Sequence, residues 1–152
     1  MSLAALSAAQ ISQLPGSTWS TVTTTELAAL SSTQLGAINT TGIAALSTTQ
    51  VAALTTTELK GLTAKQVPYF NSAVVFSPTQ LGVFGNEALG ALTTTQVVAL
   101  TTTNLGGLNS TQIGQFTATQ IKAMETTDLA GLTTTQLDGM KSAQIAALTS
   151  TQ

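Results

Sequence analysis

The chain has 152 residues, 43% of them hydrophobic and 7% charged, and its net charge of −2 comes from four lysines, six acidic residues and no arginine. So few cations exclude a phosphate-contacting nucleic-acid surface and a polybasic membrane patch. The absence of cysteine excludes a disulfide framework or thiolate metal site, and no apolar run approaches the roughly 18 residues of a membrane span.

The start, Met1 to Ser7, lacks a basic segment followed by a long apolar one, so it does not read as an ordinary signal peptide. Export is expected to use another route or a leader absent from this sequence. From Leu3 onward the chain is a tandem array of eight-residue units, labelled a to h, with large apolar residues at a and d. Position a is Leu3, Ile11, Trp19, Leu27, Leu35, Ile43, Val51, Leu59 and Val67. Position d is Leu6, Leu14, Val22, Leu30, Ile38, Leu46, Leu54, Leu62 and Phe70. Residues 3–66 make eight octads, residues 67–72 make one unit shortened by two, and residues 73–152 make ten more octads. The later d residues are Phe76, Phe84, Leu92, Leu100, Leu108, Phe116, Met124, Leu132, Met140 and Leu148.

Positions b and c are mostly Ala or Gly, which lets neighbouring backbones approach closely. Position e is usually Ser, Thr or Asn and position h usually Gln or Glu. A Ser/Thr-x-x-Gln/Glu run directly before an apolar residue is a capping box, the start signal of a helix. Pro78 after Ser77 occupies the one helical position where proline is favoured. Residues a and d share a face in a helix but would point to opposite faces in a strand. One continuous helix also fails, because eight residues turn about 800° and the apolar stripe would drift about 80° per octad.

The pattern therefore predicts an all-α solenoid with one short capped helix per octad, a β-solenoid being the alternative. Helices this short must stack to be stable. Lys122 and Asp138 both occupy b, Glu125 and Lys141 both occupy e, and Met124 and Met140 match at d, each pair 16 residues apart. These coincidences predict two octads per coil of the solenoid.

No catalytic, cofactor-binding or metal-binding residue is expected. Histidine, cysteine and arginine are missing, and the acids Glu26, Glu58, Glu87, Glu125, Asp128 and Asp138 are scattered. Glu125 and Asp128 read as helix-start residues that complement the dipole. The aromatic residues Tyr69, Phe70, Phe76 and Phe84 cluster at the register break, either as extra bulk filling the shortened unit or as a contact patch. The threonine rows at e, f and g are capped corners, with an ordered ice-binding array as another reading.

Octads such as Val51-Ala52-Ala53-Leu54-Thr55-Thr56-Thr57-Glu58 and Ile145-Ala146-Ala147-Leu148-Thr149-Ser150-Thr151-Gln152 resemble Thr/Gln/Leu-rich tracts in large, secreted, adhesin-like bacterial surface proteins. That resemblance implies an extracellular or cell-surface structural role. No calcium-binding repeat or acidic secretion tail of such proteins is present. The expected function is a self-assembling filament or surface layer; a spacer segment of an adhesin and an ice-binding protein are the alternatives. Its expected partner is a second copy of the chain, with no nucleic acid, membrane span or small-molecule substrate. Solenoids that stay monomeric need polar end caps, and Leu3, Leu6, Ile145 and Leu148 stand at core positions of the first and last octads. These four, with Tyr69 and Phe76, are the expected subunit contacts.

Overall fold

A Ser, Thr or Asn at position e starts a helix in most octads, and its side chain does the capping. At Thr117, the backbone N–H donates to Gln120 Oε1 at 2.6 Å, while Thr117 Oγ1 accepts from the Gln120 N–H at 3.2 Å. Both orphan donors are thereby satisfied inside one turn. Each helix then lasts four to six residues. The residue at d turns extended, as at Ile38 and Met124, and this bends the chain toward the next corner.

The computed structural model describes residues 2–71 and 76–152, so residue 72, the last of the expected register break 67–72, lies outside the described residues. Among the described residues the chain is helical throughout, without strands. After a 3₁₀ turn at Leu3–Ala5 come α1 (Ala8–Ser12), α2 (Gly16–Trp19), α3 (Thr24–Leu27), α4 (Ser32–Ala37), α5 (Thr40–Ala45), α6 (Thr48–Ala52) and α7 (Thr56–Leu59). A second 3₁₀ turn, Val67–Tyr69, precedes α8 (Pro78–Leu81), α9 (Asn86–Gly90), α10 (Thr94–Val98), α11 (Thr102–Leu105) and α12 (Ser110–Ile113). The last four are α13 (Ala118–Ala123), α14 (Thr126–Ala130), α15 (Thr134–Leu137) and α16 (Ser142–Ala146).

The all-α solenoid is as expected, but the coil is not. Helix α1 packs on α4, α2 on α5, α10 on α13, α12 on α15 and α13 on α16, so every third helix is a neighbour and a coil holds three octads, not two. The pairs that suggested two octads misled for a physical reason. Lys122, Glu125, Asp138 and Lys141 are all exposed, so no packing constraint relates one to another.

Inside, the a and d side chains form one continuous core from Leu3 to Leu132. The stack also runs across the shortened unit, with α7 packing directly against α8. There Phe70, Phe76 and Phe84 are all buried. They meet edge to face, with ring centroids 5.2 and 4.9 Å apart, and supply the bulk that the missing residues do not. Small residues at b and c set how closely coils approach. A Cβ on Gly61, Gly107 or Gly139 would run into the backbone of Ser32, Pro78 or Ser110 respectively, each 29 residues earlier.

Candidate functional site

The most regular chemistry in the molecule lies between coils. Each h-position glutamine uses its Oε1 for the capping box, which leaves the amide nitrogen free to donate. In all of them but Gln10, which has only its cap, that nitrogen reaches back one coil to carbonyls at the end of an earlier helix, usually those of a and d. Gln50 Nε2 donates to Trp19 O at 2.8 Å and Val22 O at 2.6 Å. Gln136 does the same to Leu105 and Leu108, both at 2.8 Å, and Gln144 to Ile113 and Phe116, at 2.9 and 2.8 Å. Gln34, Gln66, Gln80, Gln96, Gln112, Gln120 and Gln152 repeat the contact. The usual spacing is 31 and 28 residues; Gln80 and Gln96 reach 29 and 26, the difference being the two residues missing from the short unit.

One side chain therefore caps its own helix and satisfies orphan carbonyls of another. Most of these glutamines are buried, so each rung is a buried, paired polar contact and is costly to remove. Sequence reasoning found the cap and missed the rung. A signal was present: position h holds eleven Gln and two Glu, although Glu completes a capping box equally and suits the helix dipole better. The preference for the amide points to a task for its nitrogen.

Where h departs from Gln, the structure shows what replaces it. Gly42 makes room for Trp19, since a Cβ there would stand 2.6 Å from Trp19 Cδ1. Asn39 takes over the rung, donating from Nδ2 to Ser12 O at 3.0 Å and Leu14 O at 2.9 Å while its Oδ1 caps Gly42 N at 2.8 Å. Asn104 bonds Phe76 O at 2.7 Å. Asp128, which cannot donate, instead accepts from Thr102 Oγ1 at 2.9 Å. Glu58 is buried in the ladder with one carboxylate oxygen capping Thr55 N. Trp19 Nε1 is buried without a partner.

The two end coils differ. In the coil of residues 3–26, Ile11 and Trp19 are fully buried although no described coil lies before them. In the coil of residues 129–152, exposure rises from 7% at Leu129 to 42% at Leu137 and 54% at Ile145, against 0% at Ile113 and Ile121 one coil earlier. An a side chain is thus sealed by the coil that follows it. Of the expected subunit contacts, Ile145 and Tyr69 are exposed and Leu6 and Leu148 are half-buried. Leu3 is buried, because the next coil covers it, and Phe76 sits in the aromatic core; neither offers a contact surface. Tyr69 lies far from both ends in sequence, so the six do not form one patch.

At the edge of the last coil an open groove of about 580 Å³ runs between Ala118, Thr119, Lys122 and Ala146 to Thr149. A second groove of about 260 Å³, lined by Ser12, Asn39, Thr63, Lys65 and Gln66 among others, lies on the side of the stack. Among the described residues no group of three His, Cys, Asp or Glu could hold a metal, and no helix is long and apolar enough to cross a membrane. Charge chemistry on the first coil centres on Glu26. Its carboxylate accepts the Thr23 backbone N–H at 3.1 Å and the Thr23 hydroxyl at 3.0 Å, and these bonds, the backbone one foremost, hold its pKa below the ordinary 4.5.

Residues 22–56 and 121–152 match the ALTTAQ repeat family model, which supports reading the chain as a repeat protein. The matched segments cover less than half of the chain. No curated protein and no solved structure matches it.

Proposed function

We propose that the chain is a structural, non-catalytic repeat protein that assembles head to tail, one solenoid stacking on the next, into an extracellular filament or surface layer. The joint between coils inside the chain supports this reading: each coil seals the apolar a face and the carbonyl pairs of the coil before it, and the last described coil, residues 129–152, displays the face that such a joint covers. There Leu137 and Ile145 are exposed, whereas Ile113 and Ile121 are sealed by a following coil. The a and d carbonyls of the same coil, on Leu129, Leu132, Leu137, Met140, Ile145 and Leu148, receive no rung from any described glutamine. A coil that covers this face would bury apolar surface and bring amide donors, as every internal coil does. The occupant is taken to be a second copy because coils built from this same octad are what cover each face inside the stack. Contacts between unlike faces propagate unless they close a ring, and the low charge offers little repulsion.

The test is electron microscopy with sedimentation of the wild type and of Leu137→Lys with Ile145→Lys. These two side chains are exposed, so the variant keeps its fold. Filaments in the wild type that shorten or vanish in the variant support assembly. A wild type that stays monomeric at high concentration points to the adhesin-spacer reading instead, and filaments unchanged by the double substitution place the joint elsewhere.

A further inference from the structure

One buried acid interrupts the ladder inside the stack. Gln34, Glu58 and Gln80 occupy position h on the same side of three successive coils. Gln34 Nε2 donates to Leu6 O at 2.7 Å, and Gln80 Nε2 to Val51 O and Leu54 O at 3.0 and 2.9 Å. Between these two rungs, the carbonyls of Leu27 and Leu30 stand 31 and 28 residues before Glu58, the spacing at which Gln50 and Gln66 make theirs. Glu58 is 2% exposed and caps Thr55 N through Oε2. By the same register, its other oxygen takes the place of the amide nitrogen. An ionised carboxylate only accepts hydrogen bonds, whereas a protonated one has an O–H to donate.

We propose that Glu58 is a proton-operated rung. With a proton on its carboxyl, the coil of residues 51–72 is bonded to the Leu27 and Leu30 carbonyls of the coil before it; without one, this joint loses the rung. The gap suits a proton. Gln50 and Gln66 nitrogens lie 2.6 to 2.9 Å from their carbonyl oxygens, and an O–H···O bond spans the same roughly 2.5–3.0 Å. An O–H therefore replaces the N–H without moving either coil, while a metal ion would have to push these oxygens apart. Asp128, another buried acid of the ladder, needs no proton for its contact, because it accepts the Thr102 hydroxyl of the coil before it.

Few charges surround the rung. Helix α7 packs against α4 and α8, and neither carries a titratable side chain. The turn that presents the Leu27 and Leu30 carbonyls follows Glu26, whose carboxylate is bonded to Thr23. Lys60, just past the end of α7, is exposed. The proton gives the folded joint a bond that the unfolded chain lacks. The stabilisation is therefore present in acid and is lost as pH rises.

The test is urea denaturation of the wild type and Glu58→Gln at about pH 7 and about pH 3. The two chains share every other acid, so the difference between them isolates Glu58. Glutamine keeps the capping box, as in neighbouring octads, and supplies a donor at either pH. At neutral pH the unfolding constant of Glu58→Gln should be about fivefold below that of the wild type, and in acid the two should converge. Carbon-13 spectra read the rung itself. The carbonyl resonances of Leu27 and Leu30 should move downfield with acid in the wild type and stay fixed in Glu58→Gln. A gain of equal size at both pH values, no gain at neutral pH, or wild-type resonances that ignore pH each overturns the proposal. Calcium chloride that stabilises the wild type at neutral pH, and not Glu58→Gln, puts a metal ion in the rung and overturns it as well.

Discussion

The first and last coils are built from the same octad, yet one is closed and the other open. Ile11 and Trp19 are fully buried with no described coil before them, while Leu137 and Ile145, with none after them, are largely exposed. The solenoid is therefore polar in two senses. Apolar side chains at a are sealed by the coil that follows, and amides at h reach back to the coil that precedes. Each added coil completes the one before it. This differs from a stack of identical symmetrical layers, in which both ends would be equally incomplete.

The comparison can be broken most severely at position a. Ile11→Asp should cost more than about 3 kcal/mol, because it buries an unpaired charge and loses the transfer energy of a full aliphatic side chain. Ile145→Asp, at the same octad position on the open coil, should cost under about 0.5 kcal/mol. Urea denaturation of both variants measures the difference, and similar costs would mean that sealing is not one-way. A smaller contrast holds for the rungs. Gln136→Ala removes two bonds to Leu105 and Leu108 as well as its cap, and should cost about 2–3 kcal/mol. Gln10→Ala loses only the cap with Ser7 and should cost about 1 kcal/mol or less.

Substituting the buried exception should work in the opposite direction. Glu58→Gln supplies an amide toward the carbonyls of Leu27 and Leu30, the pair that lies 31 and 28 residues back, and should stabilise by about 1 kcal/mol. Stability unchanged or lowered in the same urea titration would show that the ladder does not extend through this position. The smallest effect concerns Glu26. Its folded pKa is depressed by Thr23, so its contribution is present above the unfolded value and fades as pH falls through the folded one. Thr23→Val removes the hydroxyl bond, and the Glu26 carboxyl resonance should then titrate closer to 4.5.

Much of this architecture was legible in the sequence because the octad repeats its own instructions. Leu54, Leu100 and Ile121 announce a core stripe, and Ser47 with Gln50 or Thr117 with Gln120 announces a helix start; both signals are local and recur. The coil count is not local. It depends on how far each corner turns the chain, and exposed charges such as Lys122 and Asp138 carry no information about that. A better signal lay at b and c, where Ala4-Ala5, Ala28-Ala29 and Ala52-Ala53 recur every 24 residues, the distance from one coil to the next. The rung of Gln136 to Leu105 was hidden for the same reason, since nothing in one octad shows which carbonyls will stand above its amide. The closed first coil was likewise missed. Leu3 and Leu6 share their octad positions with Ile145 and Leu148, and only the packed coil reveals which direction covers them.

Native-state hydrogen exchange, resolved amide by amide on the monomeric chain at low concentration, tests the one-way sealing most directly. The amides of Ile11 and Leu27, which bond Ser7 and Thr23 carbonyls in the first coils, should exchange nearly as slowly as that of Ile113 in the interior. The amide of Ile145, bonded to Lys141 O in the open coil, should exchange orders of magnitude faster. Equal fraying at the two ends, or faster exchange at Ile11 than at Ile145, would contradict it.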